Sequence, residues 1–130
     1  MTNPFECIAN NTARYFTHQG INCMTQLGTF TINGYIELPD NHPWLDEEDL
    51  QFSDDVDVHG GITYQNGQVI GFDTNHAGDG HHPDAELSDP DQIFPFRSYF
   101  GGTVHVWDWN EVEGETRYLA EQAKDTNNAS

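Results

Sequence analysis

The chain reads as an α+β protein: a single small domain with an antiparallel or mixed sheet, a central Asn-Gly hairpin and one helix near each terminus. Three observations predict this. Asn66-Gly67 sits between two runs rich in β-forming residues, and a type I′ turn needs positive φ at both central positions, which Asn and Gly supply. Residues 29–38 carry apolar Phe30, Ile32, Ile36 and Leu38 in alternation with polar positions, the period of a half-buried strand. Both ends carry helix-start signals, Asn3-Pro4-Phe5-Glu6 and Asp108 followed three residues on by Glu111.

In chain order, Phe5, Ile8, Ala9 and Phe16 recur at helical spacing and predict a helix near residues 4–16, closed by Gly20. Residues 21–27 and 29–38 read as strands, with Asn33-Gly34 as a turn or bulge in the second. His42-Pro43-Trp44 reads as a rigid turn that packs the tryptophan, and residues 45–58 as acidic loop. The hairpin covers 58–73. With Asn66-Gly67 as the two-residue loop, Tyr64 faces Val69, Gly60 faces Asp73 and His59 faces Thr74. Residues 74–97, rich in Gly, Pro, Asp and His, form a long irregular stretch, and such stretches in compact domains are usually functional or disordered. Residues 103–107 read as a short strand, with His105 a core histidine. Val112, Leu119, Ala120 and Ala123 then form the apolar stripe of a last helix, which interior Gly114 weakens by about 1 kcal/mol relative to alanine. The domain spans 1–124, and 125–130 is a flexible tail.

The 130 residues suffice for one core and not for two. Twenty-two acids against four bases give a net charge of -18, which excludes an unassisted nucleic-acid-binding surface. Acidic runs such as Asp46-Glu47-Glu48-Asp49 and Asp54-Asp55-Val56-Asp57 are more often solvated loop than site. Cys7 and Cys23, without a CxxC pair, are expected to be buried reduced thiols of a cytoplasmic protein. Neither a secretory signal nor an apolar run long enough to span a membrane is expected.

The candidate site lies at the open end of the hairpin. His59-Gly60-Gly61-Ile62-Thr63-Tyr64 precedes the turn, and Gly71-Phe72-Asp73-Thr74-Asn75-His76-Ala77-Gly78-Asp79 follows it. Doubling the chain at 66–67 brings His59 near Asp73, His76 and Asp79. These four residues are competent ligands for a divalent metal, although their spacing matches no standard metal motif. Without a metal, the backbone amides of Gly60, Gly61 and Gly78 can form a nest for an anion, with Arg97 among Phe94, Phe96, Tyr99 and Phe100 as its cation. His59 and Asp73 also form a possible general acid–base pair, but no serine lies in a nucleophile motif. His81-His82-Pro83 reads as an exposed turn.

These two segments resemble a family of small phage and prophage proteins. The resemblance extends to Gly34-Tyr35-Ile36-Glu37-Leu38-Pro39 with His42-Pro43, and to Val112, Glu115 and Leu119-Ala120-Glu121-Gln122. Gln68-Val69 departs from the aromatic pair usual in that family. Thr74 stands where the family often has Cys, which argues against a cysteine nucleophile there. The resemblance implies an accessory protein, cytoplasmic in the host cell, of the kind that acts against host defence.

Three functions follow as expectations. The first is capture of a small ligand, such as a nucleotide signal, without turnover, by His59, Gly60, Gly61, Asp73, His76, Asp79 and Arg97. The second is a small metal-dependent hydrolase using His59, Asp73, His76 and Asp79. The third is an acidic decoy that blocks a basic, nucleic-acid-binding host defence protein.

Overall fold

The computed structural model describes residues 3–47, 50, 56–74, 79–80, 82–85 and 105–129. Five strands form one antiparallel sheet: β1 (Arg14–His18), β2 (Ile21–Leu27), β3 (Ile32–Glu37), β4 (Tyr64–Asn66) and β5 (Val69–Phe72), in spatial order β1-β2-β3-β5-β4. A long helix, α1 (Trp109–Ala129), packs across one face. Two short parallel strands, β6 (Asp79–Gly80) and β7 (His105–Val106), form a separate pair. The class is α+β. Among the described residues no helix is long and apolar enough to cross a membrane.

Side-chain alternation along β2, β3 and β5 divides the apolar residues between two faces. Ile21, Cys23, Ile32, Ile36, Ile70 and Phe72 meet Val112, Leu119, Ala120 and Ala123 of α1 in the larger core. Met24, Tyr35 and Val69 point to the other face, where Phe5 covers them. β5 is therefore buried throughout, as expected of a strand apolar on both sides.

The helix predicted near residues 4–16 does not form. Phe5, Ile8 and Ala9 begin a turn, with Ile8 and Ala9 N–H groups both donating to the Phe5 carbonyl at 3.0 and 2.8 Å. The Asn10 side chain then accepts from the Thr12 N–H at 2.8 Å and stops it, the usual competition of Asn with helical bonding. Asn10 also reaches Leu27 O at 2.8 Å, and Gln26 bonds Asn10 N and Ile8 O. The segment is thereby laid across the sheet as a strap, and residues 14–18 become an edge strand rather than the end of a helix.

Two other expectations change at the turns. β4 and β5 pair as a hairpin, but not around Asn66-Gly67: Asn66 pairs with Val69, so the loop is Gly67-Gln68 and the register moves, with Tyr64 facing Gly71, not Val69. Gly67 has φ +60° while Gln68 does not share it, the pattern of a type II′ turn. This hairpin lies at the sheet edge, not its centre. The two successive positive φ values of a type I′ turn occur instead at Gln19 (52°) and Gly20 (82°), between β1 and β2.

At the C-terminal end, Asp108 Oδ1 accepts from Glu111 N at 2.8 Å and Glu111 Oε1 from Asp108 N at 3.1 Å, the predicted capping box. The helix continues to Ala129, so residues 125–129 extend it instead of forming a loose tail. His42 anchors its C-terminal half. This fully buried ring accepts the Trp44 N–H at Nδ1 (3.0 Å), so the proton sits on Nε2 and is donated to Ala123 O (2.7 Å). The turn at His42-Pro43-Trp44 packs Trp44 into the core, as the sequence predicts.

Helix and sheet meet closely at Gly34. A Cβ there would lie 2.6 Å from the Phe72 ring and closer still to Thr116 Oγ1, itself tied to Val112 O at 2.7 Å. Gly114, by contrast, faces open space on the exposed side of α1. Gly34→Ala is expected to destabilise by about 1–3 kcal/mol through overpacking. Gly114→Ala is expected to stabilise by roughly 0.5–1 kcal/mol. Urea denaturation midpoints of the two variants, moving in opposite directions, check the pair.

Candidate functional site

The segment leading into β4 runs along α1 in the opposite direction and is tied to it side chain by side chain. Gln122 clamps the backbone of Asp57, accepting from its N–H at 2.7 Å and donating to its carbonyl at 2.6 Å. Tyr118 OH donates to Asp57 Oδ2 at 3.0 Å. A helical turn earlier, Glu115 Oε2 accepts the His59 N–H at 3.1 Å. The chain then bends through Gly60 (φ 70°) and Gly61 (φ 79°), both in the left-handed region that glycine adopts without strain, and Gly61 N returns a bond to Val58 O at 2.9 Å. Val58, fully inside, fixes the depth of this segment.

This stitching places the His59 ring against Trp107, with ring centroids 4.4 Å apart and planes inclined by 41°. His105 also stands against this indole, edge-on at 5.6 Å. His105 Nε2 is 2.7 Å from Glu111 Oε2, so one carboxylate caps α1 and holds the imidazole. His105 is exposed rather than a core residue, because its strand β7 lies outside the main sheet. The result is a row of three aromatic rings beside the N-terminal turns of α1, bordered by Glu111 and Glu115.

Each predicted site residue has a definite standing. Asp79 opens β6, where it is the register partner of His105, so its backbone arrives beside the ring row. Gly60 and Gly61 form the bend next to His59. Asp73 goes elsewhere. It borders a hollow with Thr29, Phe30, Thr31 and Asn33 and acts electrostatically on Tyr35, whose ring belongs to the face opposite α1. Phe72 enters the helix-side core, and the alternation after it turns Asp73 away. The hairpin thus carries Asp73 to one face, while His59 is drawn to the other by α1. His76, Arg97 and His81 lie outside the described residues. His82 is not an exposed turn residue: it is 8% exposed, donates its N–H to Phe30 O at 2.8 Å and accepts Asp84 N at Nδ1.

Trp107, Glu111 and Glu115 join the site without having been singled out for it. The spacing of Glu111 and Glu115, i and i+4 near a helix start, is the local signal that they share one face. Only tertiary packing brings His59 to it.

Among the described residues no group of three His, Cys, Asp or Glu side chains can hold a metal ion. Cys23 is no nucleophile, since burial pushes its thiol up to about 12. Arg14, Arg117 and Lys124 line the opposite border of α1. Arg14 sits 3.7 Å over the Trp109 ring, Arg117 4.8 Å over Phe16, and Lys124 lies by Gly20. No protein-family model, curated protein or solved structure matches the chain.

The hydrogen bond to Asp57, and then the charge of that carboxylate, raise the pKa of the Tyr118 phenol above its ordinary value. Because the folded-state value is the higher one, the stabilisation is present in full below the ordinary tyrosine pKa and is lost as pH rises through the raised value. Alkaline titration of phenolate absorbance, wild type minus Tyr118→Phe, should give a tyrosine ionising later than a free one. Ionisation at the ordinary value would show that the Asp57 tie is not formed in solution.

Proposed function

We propose that the protein binds a small planar ligand, without converting it, at the ring row formed by His59, Trp107 and His105. The observation that carries this reading is the convergence of His59 and Trp107 beside the Gly60-Gly61 bend. An indole in contact with two imidazoles marks an aromatic cluster on which a planar group can stack, and aromatic stacking of a base contributes about 1–3 kcal/mol. Capture without turnover is favoured over metal-dependent hydrolysis because Asp73, one of the four ligands of the hydrolase reading, borders the hollow with Thr29 and Asn33 rather than the ring row.

A nucleotide signal is the ligand class to test first. In this reading the base stacks on Trp107. The phosphate meets the backbone at the Gly60 bend, since the Gly61 amide is already donated to Val58 O. The attribution to a phage-type accessory protein acting in the host cytoplasm against host defence rests on the motif resemblance alone. An acidic decoy remains the alternative that composition supports, with Asp46, Asp57 and their neighbours as its contact surface.

Titration with a panel of mononucleotides and cyclic dinucleotides, followed by tryptophan fluorescence, tests the proposal. One member should give a saturable change and be recovered chemically intact. Trp107→Ala should weaken its binding by about 1–3 kcal/mol. Absence of binding across the panel, or conversion of the bound nucleotide, contradicts it.

A further inference from the structure

The chain contains two Asn-Gly pairs, Asn33-Gly34 and Asn66-Gly67, and the fold places them in opposite situations. An Asn followed by Gly is chemically labile, because the glycine amide nitrogen, with no neighbouring side chain in the way, can reach the Asn side-chain carbonyl. Reaction needs freedom to rotate the Asn backbone and an amide N–H that is not held in a ladder.

Asn66 is the last residue of β4, a three-residue strand with a neighbour on one side only. It is exposed, and its side-chain amide makes one long bond, 3.4 Å to Tyr64 OH. Gly67 is the first of the two loop residues, so its N–H lies outside the β4–β5 ladder. A Cβ at Gly67 would meet nothing within 4 Å, so the space around it is open. Opening the terminal pair of a short edge strand is among the cheapest motions a sheet allows.

Asn33 lies within β3, which has a neighbour on each side. Gly34 pairs with Thr25 of β2 and Phe72 of β5, and sits against Thr116 of the helix. Rotating Asn33 would break two ladders and the close contact of Gly34 with Thr116 of the helix.

We propose that Asn66 is a site of spontaneous deamidation in the folded protein, with Asn33 protected. The Gly67 nitrogen attacks Asn66 Cγ. A nitrogen–Cγ bond forms, the Cγ–Nδ2 bond breaks, and ammonia leaves with the proton lost from Gly67. Water then opens the resulting cyclic imide at either carbonyl, giving aspartate or isoaspartate, and no oxidant or reductant takes part. Either product adds a negative charge at the hairpin tip. Isoaspartate also inserts a methylene into the backbone of a two-residue turn. That turn matters beyond itself: Gln68 accepts Leu38 N at 2.7 Å through its backbone carbonyl, and its side chain donates to Leu38 O and Asp40 Oδ1 at 2.8 and 2.9 Å. The modification would loosen this clamp at the exit of β3, just before His42.

The test is incubation of the folded protein at mildly alkaline pH beside a urea-unfolded sample. Peptide mapping by mass spectrometry and enzymatic isoaspartate labelling then follow each Asn-Gly pair. Both pairs should convert in urea. In the folded protein Asn66 should convert at least about tenfold faster than Asn33, the edge position opening far more often than the interior one. Equal rates at the two positions, or an Asn66 as protected as Asn33, would overturn the proposal. Asn66→Gln should abolish the labelling of the hairpin peptide, and persistence of that label would also count against it.

Discussion

At Gly34 the sheet comes so close to α1 that only a hydrogen atom fits between Phe72 and Thr116. This contact sets the height of the helix above the strands, and most of the molecule is arranged around it. Val112, Leu119, Ala120 and Ala123 reach the larger core at that height. His42 braces the C-terminal half of the helix from below, through Ala123. The outward face of the same helix then serves as the rail to which Asp57 and His59 are attached. The ring row is thus a property of the helix position more than of the hairpin that suggested it.

The charge distribution follows the same element. α1 and β1 run in the same direction along one side of the molecule. Arg14 with Trp109, Phe16 with Arg117, and His18 with Glu121 meet in succession along them. From Phe16 to His18 the rise matches that of the helix from Arg117 to Glu121, since about 3.3 Å per strand residue against 1.5 Å per helix residue lets two steps on β1 span about four on α1. Three of the four basic residues of the chain are used along this seam, each within reach of an aromatic ring, an acid or a turn. The border of α1 that carries His59 and His105 is left with carboxylates.

Much of the fold was legible where local signals agree with burial. β2 and β3 follow from alternation, and the start of α1 follows from Asp108 and Glu111, whose reciprocal bonds form as the spacing requires. Legibility failed where a polar side chain outcompeted the pattern. Phe5, Ile8 and Ala9 have helical spacing, yet Asn10 diverts the backbone, and Phe5 serves the second face of the sheet instead. It failed again at the turns, since Gln19 takes a positive φ that its residue type does not announce, while Asn66 stays in its strand. At the site, the glycine pair forms the bend that follows His59. The hairpin argument nevertheless gave it the wrong neighbour, because pairing along a hairpin says nothing about which face a flanking residue is drawn to. Trp107 and Glu115 come from far downstream, and only the packing of α1 brings them to His59.

The account turns on His59 resting against Trp107 while Asp73 points to the other face. Proton NMR with assigned histidine and tryptophan resonances tests this most directly. Strong nuclear Overhauser contacts between the His59 imidazole and the Trp107 indole are predicted. An imidazole at residue 59 with no contact to that indole would contradict the site and the function built on it.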